Sequence, residues 1–180
     1  MTLDFQTLHR DSIAVSQKPV IVSHGNARSV CDSKRNLPDE IIDAIAGNGG
    51  VIGINGYPAF VSLKEHPTLE EFIDHIDYMV QRAGIDHVCI GMDYFEYQAG
   101  VVDDATAKIV YEYLLESKSW KPGEYPPPPW YWPGEIEMPE KFANLTRGLV
   151  KKGYLPTDIQ KILGLNLIQV FEQVWHSPPS

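Results

Sequence analysis

The sequence predicts an α/β fold in which parallel strands are joined by helical crossovers, either a (β/α) barrel or an open doubly wound sheet. Three observations predict it. Helical and extended segments alternate along the first half of the chain. The extended segments PVIVSH, VIGIN and HVCIGMD are apolar throughout, as strands are when helices cover both faces of a sheet. Two of them end on an ionisable residue, His24 and Asp93, and folds of this class present their chemistry at such strand tips.

Each element has its own reason. FQTLHRDSIAVSQ forms a helix with Leu8, Ile13 and Val15 on its apolar side. PVIVSH is a short buried strand. NLPDEIIDAIAGNGG starts a second helix, with Pro38 in the first turn and acids after it, and the run Gly47 to Gly50 ends it. Its buried stripe is Ile41, Ile42, Ile45 and Ala46. VIGIN is the next strand and GYPAFVSLKEHP a loop. TLEEFIDHIDYMVQRAGI is the clearest helix, since Thr68 and Glu71 form a capping box and Phe72, Ile76, Met79 and Val80 repeat at helical spacing. HVCIGMD is the third strand. One further helix is expected over residues 104–117, and residues 118–137 read as a Pro/Trp-rich loop. EYPPPPWYWPG within it is expected to be either an ordered surface loop or a lid or subunit contact, because exposed aromatics are costly to leave wet. KFANLTRGLVKKG, PTDIQKILG and NLIQVFEQVW close the chain as helices. The 180 residues are expected to make a single domain, 1–180.

A formal charge of −9 argues against a nucleic-acid or anionic-membrane partner. The two cysteines, Cys31 and Cys89, make no disulfide framework and suit a reducing compartment. There is no apolar run of membrane-spanning length, and MTLDFQTLHRDS is no signal peptide, so a cytoplasmic location is expected.

His24 reads either as a satisfied histidine at a strand end or as a metal ligand or general base, since neutral imidazole suits zinc. Asp93 holds the corresponding tip of the third strand. Arg35 lies in the loop after His24; it either pairs with Asp32 or Asp39 or offers a guanidinium fork to a substrate carboxylate. The His75–Asp77 pair looks like a metal motif but falls inside a strong amphipathic helix, and is expected on the helix surface.

PVIVSHGNARSVCDSKRNLPDEIIDAIAGNGGVIGINGYP and GIDHVCIGMDY closely resemble the C-terminal half of the membrane (renal-type) dipeptidases, the M19 metallopeptidases. FANLTRGLVKKGYLPTDIQKILGLNLIQVFEQVW resembles that family's closing helices. The resemblance implies a (β/α)8 barrel of the metallo-dependent hydrolase type holding two zinc ions and cleaving dipeptides. On the matching motifs His24 would be a zinc ligand, Arg35 would hold the substrate, and Asp93 would orient the nucleophile and shuttle its proton. Zinc would lower the pKa of bound water and polarise the amide. The departures are equally specific. The family's first-strand His-x-Asp pair and its bridging Glu have no counterpart here. MTLDF resembles the strand that carries another zinc histidine, but Gln6 follows and no Ser-His does. After Asp93 the chain has YFEY where the family has a Phe-Asp-Gly turn. One expected ligand is present, where a catalytic zinc takes about three from protein. A full barrel takes about 250 residues. The chain is therefore expected to be the C-terminal part of a truncated or split dipeptidase, paired with an N-terminal half-barrel chain or with a second copy as a homodimer. The alternative is a non-catalytic remnant, a dimerising or ligand-binding module.

Overall fold

The computed structural model describes residues 5–95, 98, 104–121 and 125–175. Helix α1 (Phe5–Val15) leads into strand β1 (Ile21–Val22), helix α2 (Asp39–Gly47) and strand β2 (Val51–Ile54). A short helix α3 (Pro58–Val61) precedes the long helix α4 (Leu69–Ala83), a 3-10 turn (Ile85–His87) and strand β3 (Val88–Ile90). Helix α5 (Asp104–Glu116) is followed by the Pro/Trp-rich segment, then α6 (Ala143–Lys152), α7 (Pro156–Gln160) and α8 (Asn166–Trp175). A π turn (Lys161–Leu165) joins the last two, which the sequence reads as separate helices.

The three strands form one parallel sheet in the order β1-β2-β3. Ile21 stands opposite Val51, and Gly53 opposite Cys89. Helices cover the sheet as crossovers require. Ile52, Ile54 and Val88 join Ile41, Ile42 and Ile45 of α2 and Phe72, Ile76 and Met79 of α4 in the main core. Val51 and Cys89 instead meet Val170 of α8, with Ile21, Leu167 and Val174 packed around them. Burial alone raises the Cys89 thiol to about 12, so it is an inert apolar filler. The Asn166 amide fixes the start of α8 against β3 by donating to the Ile85 and Val88 carbonyls at 2.7 and 2.8 Å.

Local signals act where they stand. Thr68 and Glu71 satisfy each other's backbone N–H groups at the start of α4. Asn48 ends α2, and its side-chain oxygen accepts the Val20 N–H at 2.6 Å, tying that helix end to the entry of β1.

Two expectations change. Strand β1 pairs over two residues rather than six, because the chain leaves the ladder after Val22 and crosses toward its neighbours. Helix α1 begins at Phe5, where the helix read over FQTLHRDSIAVSQ starts, and residues 1–4 lie outside the described residues. The Pro/Trp-rich stretch, whose residues 122–124 also lie outside, is no plain surface loop. Trp130 and Trp132 are each 2 % exposed. They pack with Tyr57, Phe95, Tyr111, Trp120 and Tyr125 in one aromatic cluster, in which the Trp120 and Tyr125 rings stack at 4.0 Å. Among the described residues, β1 and β3 are the outer strands of the sheet.

Candidate active site at the strand tips

His24 and Asp93 follow β1 and β3, so both emerge at the C-terminal end of the same parallel sheet. Glycine makes the crossing after β1 possible. A Cβ on Gly53 would lie 2.3 Å from the Ser23 carbonyl oxygen, and one on Gly91 only 1.9 Å from it. The Gly25 N–H then donates to the Gly53 carbonyl at 2.7 Å, which seats the start of the loop on β2. Ser23 Oγ and His24 Nδ1 are hydrogen-bonded at 2.8 Å. That contact occupies Nδ1, so a metal bond at this histidine would have to use Nε2.

Buried amides hold the rest of this loop. The Asn26 side chain donates to the Asn55 and Phe60 carbonyls, both at 3.0 Å, and accepts the Asn55 N–H at 2.8 Å. Asn36 donates to the Cys31 and Phe60 carbonyls at 2.8 and 2.9 Å. The Asn55 side chain accepts the Tyr57 N–H at 2.6 Å. His75 of α4 completes the network. Its Nδ1 accepts the Ala27 N–H at 3.2 Å and its Nε2 donates to the Val61 carbonyl at 2.9 Å, a pattern that requires the neutral ring. Burial lowers its pKa to about 4. The expectation of a surface His75 is thus corrected, because the residue is wholly buried. Asp77 accepts the Tyr154 hydroxyl at 2.7 Å and pairs with Lys152 at 3.4 Å, so the two residues share no site.

Arg35 is half-buried in the same loop, with its guanidinium 5.3 Å from the centre of the Tyr125 ring. Of the two acids considered as its partners, Asp39 is held by Arg82 at 2.9 Å and by the Tyr78 hydroxyl. Asp93 is exposed and adopts a φ of 55°, a left-handed conformation that is uncommon for a residue with a side chain. Residues further on tether this segment. The Tyr94 hydroxyl donates to the Ile136 carbonyl, and Gln98 bridges the Phe95 N–H to the Glu137 carbonyl at 3.1 Å on each side.

The aromatic cluster stands between these groups. Tyr57 lies 5.7 Å from Tyr125, the ring beneath Arg35. Burial, reinforced by Tyr125, Tyr111 and the Asp93 charge, pushes the Tyr57 phenol well above its ordinary pKa. Its hydroxyl and the Trp132 indole N–H are buried without a hydrogen-bond partner among the described residues. The Trp130 indole lies near that hydroxyl but gives its N–H to the Pro126 carbonyl at 3.0 Å. Sequence reasoning missed Tyr57 and the asparagine network. The available signal was an asparagine close behind each of two apolar strands, Asn26 after VIVSH and Asn55 at the end of VIGIN.

Among the described residues no three His, Cys, Asp or Glu side chains are placed to hold a metal ion. Taken alone, these residues do not fit a catalytic zinc, for which His24 would be a single ligand.

Parallel strands with helical crossovers and polar tips fit part of a (β/α) barrel or an open sheet, and the solved structures decide for a barrel of the metallo-dependent hydrolase type. Superposition agrees. An amidohydrolase from Pseudomonas aeruginosa matches with a TM-score of 0.82 and 26% identity over 97% of this chain and 51% of its own. A metallo peptidase from Rhodobacter sphaeroides, liganded with a phosphinate mimic of the dipeptide L-Ala-D-Ala, shares the fold with a TM-score of 0.69 at 21% identity, over 93% of this chain and 39% of its own.

The sequence profile of the membrane dipeptidases, peptidase family M19, matches residues 6–122, and the chain belongs to that family. Dipeptidase verJ of Clonostachys rogersoniana is 30% identical over 162 residues, which is 90% of this chain and 33% of that protein. Dipeptidase ataJ of Aspergillus terreus is 29% identical over 94% of this chain and 34% of its own length. The chain thus spans about a third of these curated relatives.

Proposed function

We propose that the chain supplies the C-terminal part of a zinc-dependent dipeptidase, in which His24, Arg35 and Asp93 act together on a dipeptide or similar small amide. The observation that carries this reading is the emergence of His24 and Asp93 at one end of a single sheet, with Arg35 in the loop between β1 and α2. His24 offers Nε2 as a ligand. Arg35, its guanidinium 5.3 Å over the Tyr125 ring, pairs with the substrate carboxylate through two parallel N–H donors. Asp93 takes a proton from the attacking water and returns it to the leaving amine. Its side chain is exposed at the sheet's C-terminal end, where a substrate can reach it. The remaining metal ligands come from an N-terminal half-barrel, and the outer strands β1 and β3 are where such a half would pair. The free, buried thiols of Cys31 and Cys89 suit a reducing, cytoplasmic setting.

The ligand count favours a second reading, a dipeptidase-like module that dimerises or binds ligands without turnover. One experiment separates the two. Zinc content and hydrolysis of alanyl-alanine are measured for the chain alone, then with an N-terminal half-barrel supplied in trans. Weak zinc retention alone, with metal and turnover gained on completion and lost again in His24→Ala and Asp93→Asn, supports the enzyme part. A completed barrel whose turnover ignores both substitutions rejects the assigned roles, and no turnover on completion supports the module.

A further inference from the structure

A groove of about 460 Å³ lies between the first turn of α4 and helix α6, on elements that contribute neither His24, Arg35 nor Asp93. Its volume is in the range of small-molecule sites. Leu69 and Ile73, both buried, give it an apolar floor. Gly148 lets the two helices approach there, since a Cβ at that position would lie 2.6 Å from Ile73 Cδ1.

The two walls carry opposite charge. Arg147 and Lys151 stand four residues apart on α6 and so share one helix face. Glu70 on α4 and Glu135 at the groove's edge supply the acids. Among the described residues no ion pair closes the gap: Glu70, Glu135 and Lys151 have none, although Lys152 beside them is taken by Asp74 and Asp77. Arg147 is also held in place. The Asn144 amide donates to the Glu135 carbonyl at 2.7 Å, and its oxygen accepts one Arg147 N–H. A guanidinium has five donors, so the others remain for a ligand.

We propose that this groove binds a short zwitterionic peptide of dipeptide size. Its carboxylate sits between Arg147 and Lys151, its ammonium faces Glu70 and Glu135, and a side chain rests on Leu69 and Ile73. A simple anion is disfavoured by the two glutamates, and an apolar ligand makes no use of the four charges around the floor. The ligand overlaps in class with the proposed substrate, but the groove shares no residue with the strand-tip site, so the two readings fail separately.

The test is methyl NMR on the whole chain, titrated with L-leucyl-glycine. Saturable shifts at the Leu69 and Ile73 methyls are expected. Lys151→Gln weakens binding about tenfold, the loss of one charge-assisted contact, and Glu70→Gln with Glu135→Gln, which removes both acids facing the ammonium, weakens it by at least about tenfold. All three positions are exposed, so folding is retained. Arg35→Gln leaves the affinity unchanged. Absent shifts at these methyls overturn the proposal. So does equal binding of N-acetyl-L-leucinamide, which marks a plain apolar patch, or of N-acetyl-leucyl-glycine, which marks a plain anion site.

Discussion

His75 bonds the histidine-bearing loop through Ala27 and the loop after β2 through Val61, both from within α4. Its ring must stay neutral to do so. The folded-state pKa, near 4, lies below the ordinary value of 6.5, so the unfolded chain binds the extra proton first. The stabilisation is complete above about pH 6.5 and is lost as pH falls toward 4, on the order of 3 kcal/mol over that window. Urea titrations at stepped pH are expected to show this slope in the native chain and a flatter one in His75→Gln. The burial of this residue was legible. Phe72, Ile76 and Met79 define the inward face, and position 75 falls on it three residues after Phe72 and four before Met79. The metal-like look of His-Ile-Asp drew attention away from that spacing. The left-handed backbone of Asp93 had no such signal, because nothing in Met-Asp-Tyr announces it.

At the scale of elements, α4 was readable from end to end, since its cap, its periodicity and its terminal glycine agree. Thr68→Ala removes the hydroxyl that accepts the Glu71 N–H at 3.2 Å and is expected to cost about 1 kcal/mol in thermal unfolding. Strand β1 was readable as a strand but not in extent. The run PVIVSH records burial, and the residues after Val22 are held by the glycine crossing, which is set by Gly53 and Gly91 far along the chain. Hydrophobic runs report that a segment is covered, not which partner covers it.

For the molecule as a whole, the aromatic cluster joins what lies after β2, after β3 and after α5 into one body. Trp130 touches all three, through Tyr57, Phe95 and Trp120. Trp130→Ala is expected to cost about 3–5 kcal/mol by urea unfolding, as for a large core truncation. Composition gave no means to foresee this, because a Pro/Trp-rich stretch forms a loop or a core according to what it meets, and its partners are distant in sequence. The placement of His24 and Asp93 at one end of the sheet was legible, because strand polarity alone dictates it. The crossing of β1 also limits any attempt to build a full metal cage within this chain. Positions 53 and 91 face the Ser23 carbonyl with only hydrogen atoms to spare, so neither can be converted into a donor residue without unseating His24 itself. An engineer adding metal ligands beside His24 must graft them from outside the sheet, onto loops or onto a second polypeptide.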